Sequence, residues 1–132
     1  MIATLVAPLD RRWKTWRALW LVVAVASGAS AVVVALIDHV GWWPVVVFAI
    51  APDLSFIAGV GQSAAPGQLP KNAVPVYNLV HRPLLPMAMM ATASIGLVGS
   101  LWLAAGLSWL THIAVDRVTG YGLRTKDGWP RG

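Results

Sequence analysis

Residues 18–37 read ALWLVVAVASGASAVVVALI and carry no charged side chain. About 20 apolar residues in a helix span the roughly 30 Å hydrocarbon core of a bilayer. Basic residues Arg11, Arg12, Lys14 and Arg17 precede the run, and Ala29-Ser30-Ala31 resembles a signal cleavage site. A signal core is only about 7–15 residues long, however, whereas this run continues through VVVALI to Ile37. The stretch therefore reads as a retained transmembrane helix. The rest of the chain agrees: of 132 residues, 58% are hydrophobic and 11% charged, with a mean hydropathy of +0.68. A soluble domain carries about 25% charged residues. The expectation is one integral membrane domain.

Cysteine is absent, which removes disulfides and thiolate ligands, and all five acidic residues are Asp. The net charge of +5 points to orientation in the bilayer and contact with anionic lipids. No nucleic-acid motif or aromatic-interleaved basic stripe accompanies it, so no nucleic-acid partner is expected.

Outward from the first run, the pattern predicts helices over about 17–38, 42–61, 76–98 and 101–119, with a loop at 61–75 and a polar, Gly-rich tail at 120–132. Trp42-Trp43-Pro44 suits an interfacial helix start. Pro52 interrupts the second segment, and Pro83 and Pro86 kink or split the third. The predicted fold is all-α, a four-helix transmembrane bundle with both termini on one side. Basic residues cluster at 11–17, at Lys71, and at Arg124, Lys126 and Arg131, while the two opposite turns have none. By the positive-inside rule the termini are cytoplasmic, at the inner membrane of a bacterium. Small residues four apart (Ala24 and Gly28, Ala26 and Ser30, Thr92 and Gly96, Ala104 and Ser108) suit close helix packing. They also allow a homo-oligomer or a membrane-protein partner.

Ionisable residues at membrane depth are functional candidates. At 1.5 Å per residue, Asp53 lies about 18 Å below the outer turn, His112 about 20 Å and His81 up to about 27 Å. Asp116 is one turn beyond His112, on the same helix face. These four, from three helices, are expected to converge in the cytoplasmic third of the bundle, with Tyr77, Asn78, Arg82 and Arg117 around them. Two imidazoles and two carboxylates suit Zn²⁺, Mn²⁺ or Fe²⁺. Tyr77 or Asn78 is placed to orient a ligand or stabilise an oxyanion, and Arg82 and Arg117 to hold a phosphate. Asp38 and His39, in the opposite turn, read as a solvated loop. The blander alternatives are an interfacial Asp116–Arg117 ion pair and polar groups that only tie helices together.

APDLS at 51–55, YNLVH at 77–81 and HIAVDRVTGYGL at 112–123 resemble a bacterial multi-pass membrane family known only as a domain of unknown function (family 4260). The resemblance spans roughly the last three helices and implies no activity. More loosely, Pro52-Asp53, His81-Arg82 and His112 with Asp116 are similar, in order, to motifs of membrane-bound metal-dependent hydrolases. That likeness implies hydrolysis of a lipid or phosphoester. Two other classes fit the same residues: a structural or accessory membrane protein, and a proton or ion pathway through the Asp/His groups.

Overall fold

The computed structural model describes the backbone of residues 3–131 and the side chains of residues 11–131; Gly132, the end of the expected tail, lies outside them. Among the described residues every regular element is a helix. The elements are α1 (Ala3–Ile37), α2 (Trp43–Ile50), a 3-10 helix (Ala51–Gly59), α3 (Val74–Val80), α4 (Leu84–Ser94) and α5 (Ser100–Thr119). No strand forms among them, only an isolated antiparallel bridge between Arg124 and Pro130. One helix, Arg11–Ile37 within α1, is long and apolar enough to cross a membrane.

One element differs from expectation, and the two expected proline interruptions take definite forms. α1 begins at Ala3 rather than near residue 17, because Arg and Lys keep a segment out of hydrocarbon but are good helix formers. The segment over 42–61 tightens at Ala51 into a 3-10 helix. Pro52 has no N–H to offer the Phe48 carbonyl, so the α-helical ladder cannot continue there. The segment over 76–98 is two helices, α3 and α4, that meet at His81–Pro83. Pro83 cannot donate to the Leu79 carbonyl and disfavours helical backbone at the residue before it.

α5 is the hub, packing against α1, α2 and α4. It runs antiparallel to α1: Arg17 Nε donates to the Val118 carbonyl at 2.6 Å, and the Ser27 and Thr111 hydroxyls meet at 2.8 Å. It runs parallel to α2, where Ser108 bonds the Val45 carbonyl and His112 the Ala49 carbonyl. Small residues make these approaches possible. Ala24, Ser27, Ala31 and Ala35 form the buried stripe of α1, and Ala104, Ala105 and Ser108 are buried on α5. Ala26 and Ser30 face outward instead. At Gly106 an added Cβ would lie 2.7 Å from Met90 Cγ and 3.1 Å from the Pro86 carbonyl oxygen, so α4 and α5 touch through a bare backbone.

Bulk lies outside: Val22 is 66% exposed, Ile57 65% and Leu97 71%. This inverts the usual water-soluble pattern, in which large aliphatic side chains fill the core. A small cluster of Leu69, Ala73, Val74 and Tyr77 is buried beneath the 61–73 loop.

The tail is built rather than loose. Leu69 N–H donates to the Gly128 carbonyl at 2.9 Å, and Lys71 pairs with Asp127 at 3.1 Å. Gly128 adopts φ +89°, and a Cβ there would sit 1.9 Å from the Leu69 oxygen, so only glycine fits.

Candidate metal centre

The breaks that interrupt the second and third segments also deliver the polar residues. Asp53 stands in the first turn of the 3-10 helix, directly after Pro52. His81 caps the C-terminus of α3. His112 and Asp116 lie one turn apart on α5. All four meet. His112 Nε2 lies 3.3 Å from His81 Nε2 and 3.4 Å from Asp53 Oδ1. His81 Nε2 is 3.7 Å from Asp53 Oδ1 and 3.4 Å from Asp116 Oδ2, which is also 3.6 Å from His112 Nε2. His81 is fully buried, whereas the Asp53 side chain is half exposed.

Asp53, His81 and His112 each offer one ligand atom, all within 4.8 Å of one another, and could hold a metal ion. Asp116 flanks the imidazole pair rather than joining that three-atom group. A tetrahedral ion with bonds of about 2.0–2.1 Å has ligand edges of roughly 3.3–3.4 Å. The three edges here are 3.3, 3.4 and 3.7 Å, so the set fits such an ion with little movement.

The second ring nitrogens sharpen the argument. His81 Nδ1 lies 2.8 Å from the Tyr77 carbonyl oxygen and His112 Nδ1 2.8 Å from that of Ala49. A carbonyl oxygen only accepts, so each Nδ1 carries a hydrogen, and each neutral ring turns a lone pair inward from Nε2. Two nitrogen lone pairs and two carboxylates then face one another with no donor between them. That arrangement demands a metal ion or added protons, on the rings or on a carboxylate. Locking the outer nitrogen of a histidine to a carbonyl is also how metal-ligating rings are oriented.

The Ala49 carbonyl is available because of a proline, whereas the Tyr77 carbonyl accepts the His81 backbone N–H at 3.0 Å as well as its ring. In 3-10 register the residue facing the Ala49 carbonyl is Pro52, which has no N–H. At the end of α3 the orphan carbonyls are capped by side chains. Trp109 Nε1 donates to Val80 at 2.8 Å, and one Arg117 terminal nitrogen donates to His81 at 2.9 Å.

Tyr77 stacks on the His81 ring, centroids 3.9 Å apart, and donates to the Gly122 carbonyl at 3.2 Å. Asn78 turns toward the tail: its amide donates to the Arg124 carbonyl at 2.9 Å and accepts from the Arg124 N–H at 2.7 Å. Arg117 also donates to the Tyr121 carbonyl at 3.1 Å. Arg82 is exposed at the break. Asp38 and His39 are likewise exposed, His39 with φ +53°.

A cavity of about 210 Å³ adjoins the cluster, lined by Asp53, Phe56, Tyr77, Asp116, Tyr121 and Arg124. Arg124 escaped the sequence reading. It belongs to a tail without periodicity, and no motif marks it. A larger cavity, about 480 Å³, lies over the loop at 61–72 and holds no His or carboxylate.

The profile of a family described as a domain of unknown function (DUF4260) matches residues 14–131, and the chain belongs to that family. No curated protein and no solved structure matches it.

Proposed function

We propose that this member of a family without an assigned activity is an integral membrane protein with a divalent-metal centre, a hydrolase acting on a phosphoester or lipid. The carrying observation is the convergence of two Nε2 atoms, both turned inward by carbonyl-bound Nδ1 atoms, on the Asp53 carboxylate. Asp53, His81 and His112 would hold the ion. When bound, the ion supplies Lewis acidity for attack of water on the ester. Asp116 Oδ2, beside both imidazoles and lining the same cavity, is the group we assign to accept the proton that hydrolysis releases. Tyr77 and Arg117 are positioning residues, acting through the ring and carbonyl of His81.

Membrane placement rests on the apolar exterior and on length. End to end, α2 and the 3-10 helix reach about 30 Å, because each 3-10 residue rises about 2.0 Å against 1.5 Å in an α-helix. Seventeen residues are thus enough for a hydrocarbon core. The positive-inside rule, applied to the basic clusters, supports a centre on the cytoplasmic side.

The test is metal content by mass spectrometry on detergent-purified protein, comparing wild type with His112→Ala and Asp53→Ala, each checked for helicity. Near one equivalent in wild type, lost in both variants, is expected. No metal in wild type after Zn²⁺, Mn²⁺ and Fe²⁺ are offered would sink the reading. The same convergence, neutralised by protons instead, would then be an interhelical tie or a proton-relay element.

A further inference from the structure

We infer that the cavity beside the Asp/His cluster is a phosphate subsite, and that Arg124 is the residue that grips the anion. The inference builds on the metal-centre reading, since Asp53 and Asp116 line the same cavity and a bound cation would offset their charge toward a phosphate.

Three observations carry it. Arg124 is a buried cation, 8% exposed, with no carboxylate within ion-pairing distance among the described residues. Its contacts are neutral. One terminal nitrogen donates to the Gly67 carbonyl at 2.9 Å and to that of Gly128 at 3.5 Å, and the guanidinium stands 5.7 Å from the Tyr77 ring centroid. Its Nε is buried with no hydrogen-bond partner. Asp53 and Asp116 share its cavity but do not touch it; a buried charge without a direct ion pair is costly, and an unsatisfied buried donor adds to the cost. An anion in the adjoining cavity removes both penalties.

The chain also holds this residue in place. Asn78 grips both backbone polar groups of Arg124, and Arg131 Nε donates to its carbonyl at 3.0 Å. The arginines expected from sequence to bind phosphate are otherwise disposed: Arg117 is spent on two carbonyls, and Arg82 is exposed. Size narrows the occupant. Sites for drug-sized ligands run about 300–1,000 Å³, so about 210 Å³ suits a phosphate with a few attached atoms, not a whole lipid. Guanidinium matches phosphate oxygens through two parallel hydrogen bonds.

The experiment is calorimetric titration of inorganic phosphate into detergent-purified protein loaded with Zn²⁺ or Mn²⁺. Wild type is compared with Arg124→Gln and Arg124→Lys, and with Lys126→Gln as a charge control from the same tail. Metal content is measured on every sample. Expected are saturable binding in wild type and Lys126→Gln, and a loss of roughly tenfold to a hundredfold in Arg124→Gln at unchanged metal content. Arg124→Lys should recover only part, because an ammonium has no fork. Equal phosphate affinity in wild type and Arg124→Gln, with metal bound in both, overturns the subsite and leaves the metal centre standing. Absence of metal from wild type, with phosphate binding still dependent on Arg124, overturns the metal centre and upholds the subsite. Absence of both overturns both. Glycerol 3-phosphate and dihexanoyl phosphatidic acid, titrated in parallel, separate the sources. Tighter binding of the lipid assigns a headgroup, and equal binding assigns a soluble phosphoester.

Discussion

Asn78, expected from sequence to orient a ligand or stabilise an oxyanion, has a structural task in the fold. Its spacing from His81 puts it near the cluster, but its amide holds the Arg124 backbone from both sides, at 2.9 and 2.7 Å. Asn78→Ala should therefore leave metal content unchanged while costing about 1–3 kcal/mol of local stability, as two backbone groups lose their partners. Faster hydrogen exchange at the Arg124 amide, with unaltered metal, is the expected signature. Loss of metal instead would place Asn78 in the centre itself. The four cluster residues could be read from sequence because i, i+4 spacing and helical rise convert position into depth. Their outer-nitrogen partners could not. The Ala49 carbonyl is available only once Pro52 and the 3-10 register are both in place. Arg124 was hidden for a related reason, since its surroundings come from residues 67, 77, 78 and 128, which no local pattern links.

At the level of elements, the prolines and the interruptions they cause were legible, but the form of each was not. Pro52 and Pro83 are expected interruptions; what they produce is a change of gauge in one segment and a clean division of the other. Each break lies beside a candidate ligand, Asp53 or His81. The small-residue spacings were legible as packing, but the face they occupy was not, because the rotation of α1 is decided by its partner α5. Ala24 is buried while Ala26 and Ser30 point away. The closest approach tests this packing. Gly106→Val would drive a side chain into Met90 and the Pro86 carbonyl, costing about 1–3 kcal/mol or more. Thermal denaturation in detergent should show the loss, whereas Gly99→Ala, where nothing lies within 4 Å of an added Cβ, should move the midpoint little. Equal effects of the two would mean that α4 and α5 do not meet as described.

For the whole molecule, the decisive question is which ends face which compartment. The chain contains no cysteine, so single cysteines can be introduced without background. Under the proposed placement, Asp38→Cys reacts with a membrane-impermeant maleimide on intact cells, and Lys126→Cys reacts only after permeabilisation. The reverse pattern would invert the topology. Labelling of both on intact cells would remove the bilayer from the account. Chelation supplies a second global readout. An ion bound by residues from the 3-10 helix, α3 and α5 ties three segments together, so removing it should lower the unfolding midpoint of wild type. The same chelator should have no effect on His112→Ala.

The carbonyl locks on His81 and His112 also set a donor filter. Both rings are held by 2.8 Å bonds to backbone, so the groups fixed inward are two imidazole nitrogens 3.3 Å apart, which suit transition ions, whereas Ca²⁺ takes six to eight oxygen ligands. Turning a nitrogen away would mean breaking a hydrogen bond to a fixed carbonyl. Discrimination against hard, oxygen-seeking cations is therefore built into the backbone, and millimolar Ca²⁺ should fail to displace a transition ion from the protein.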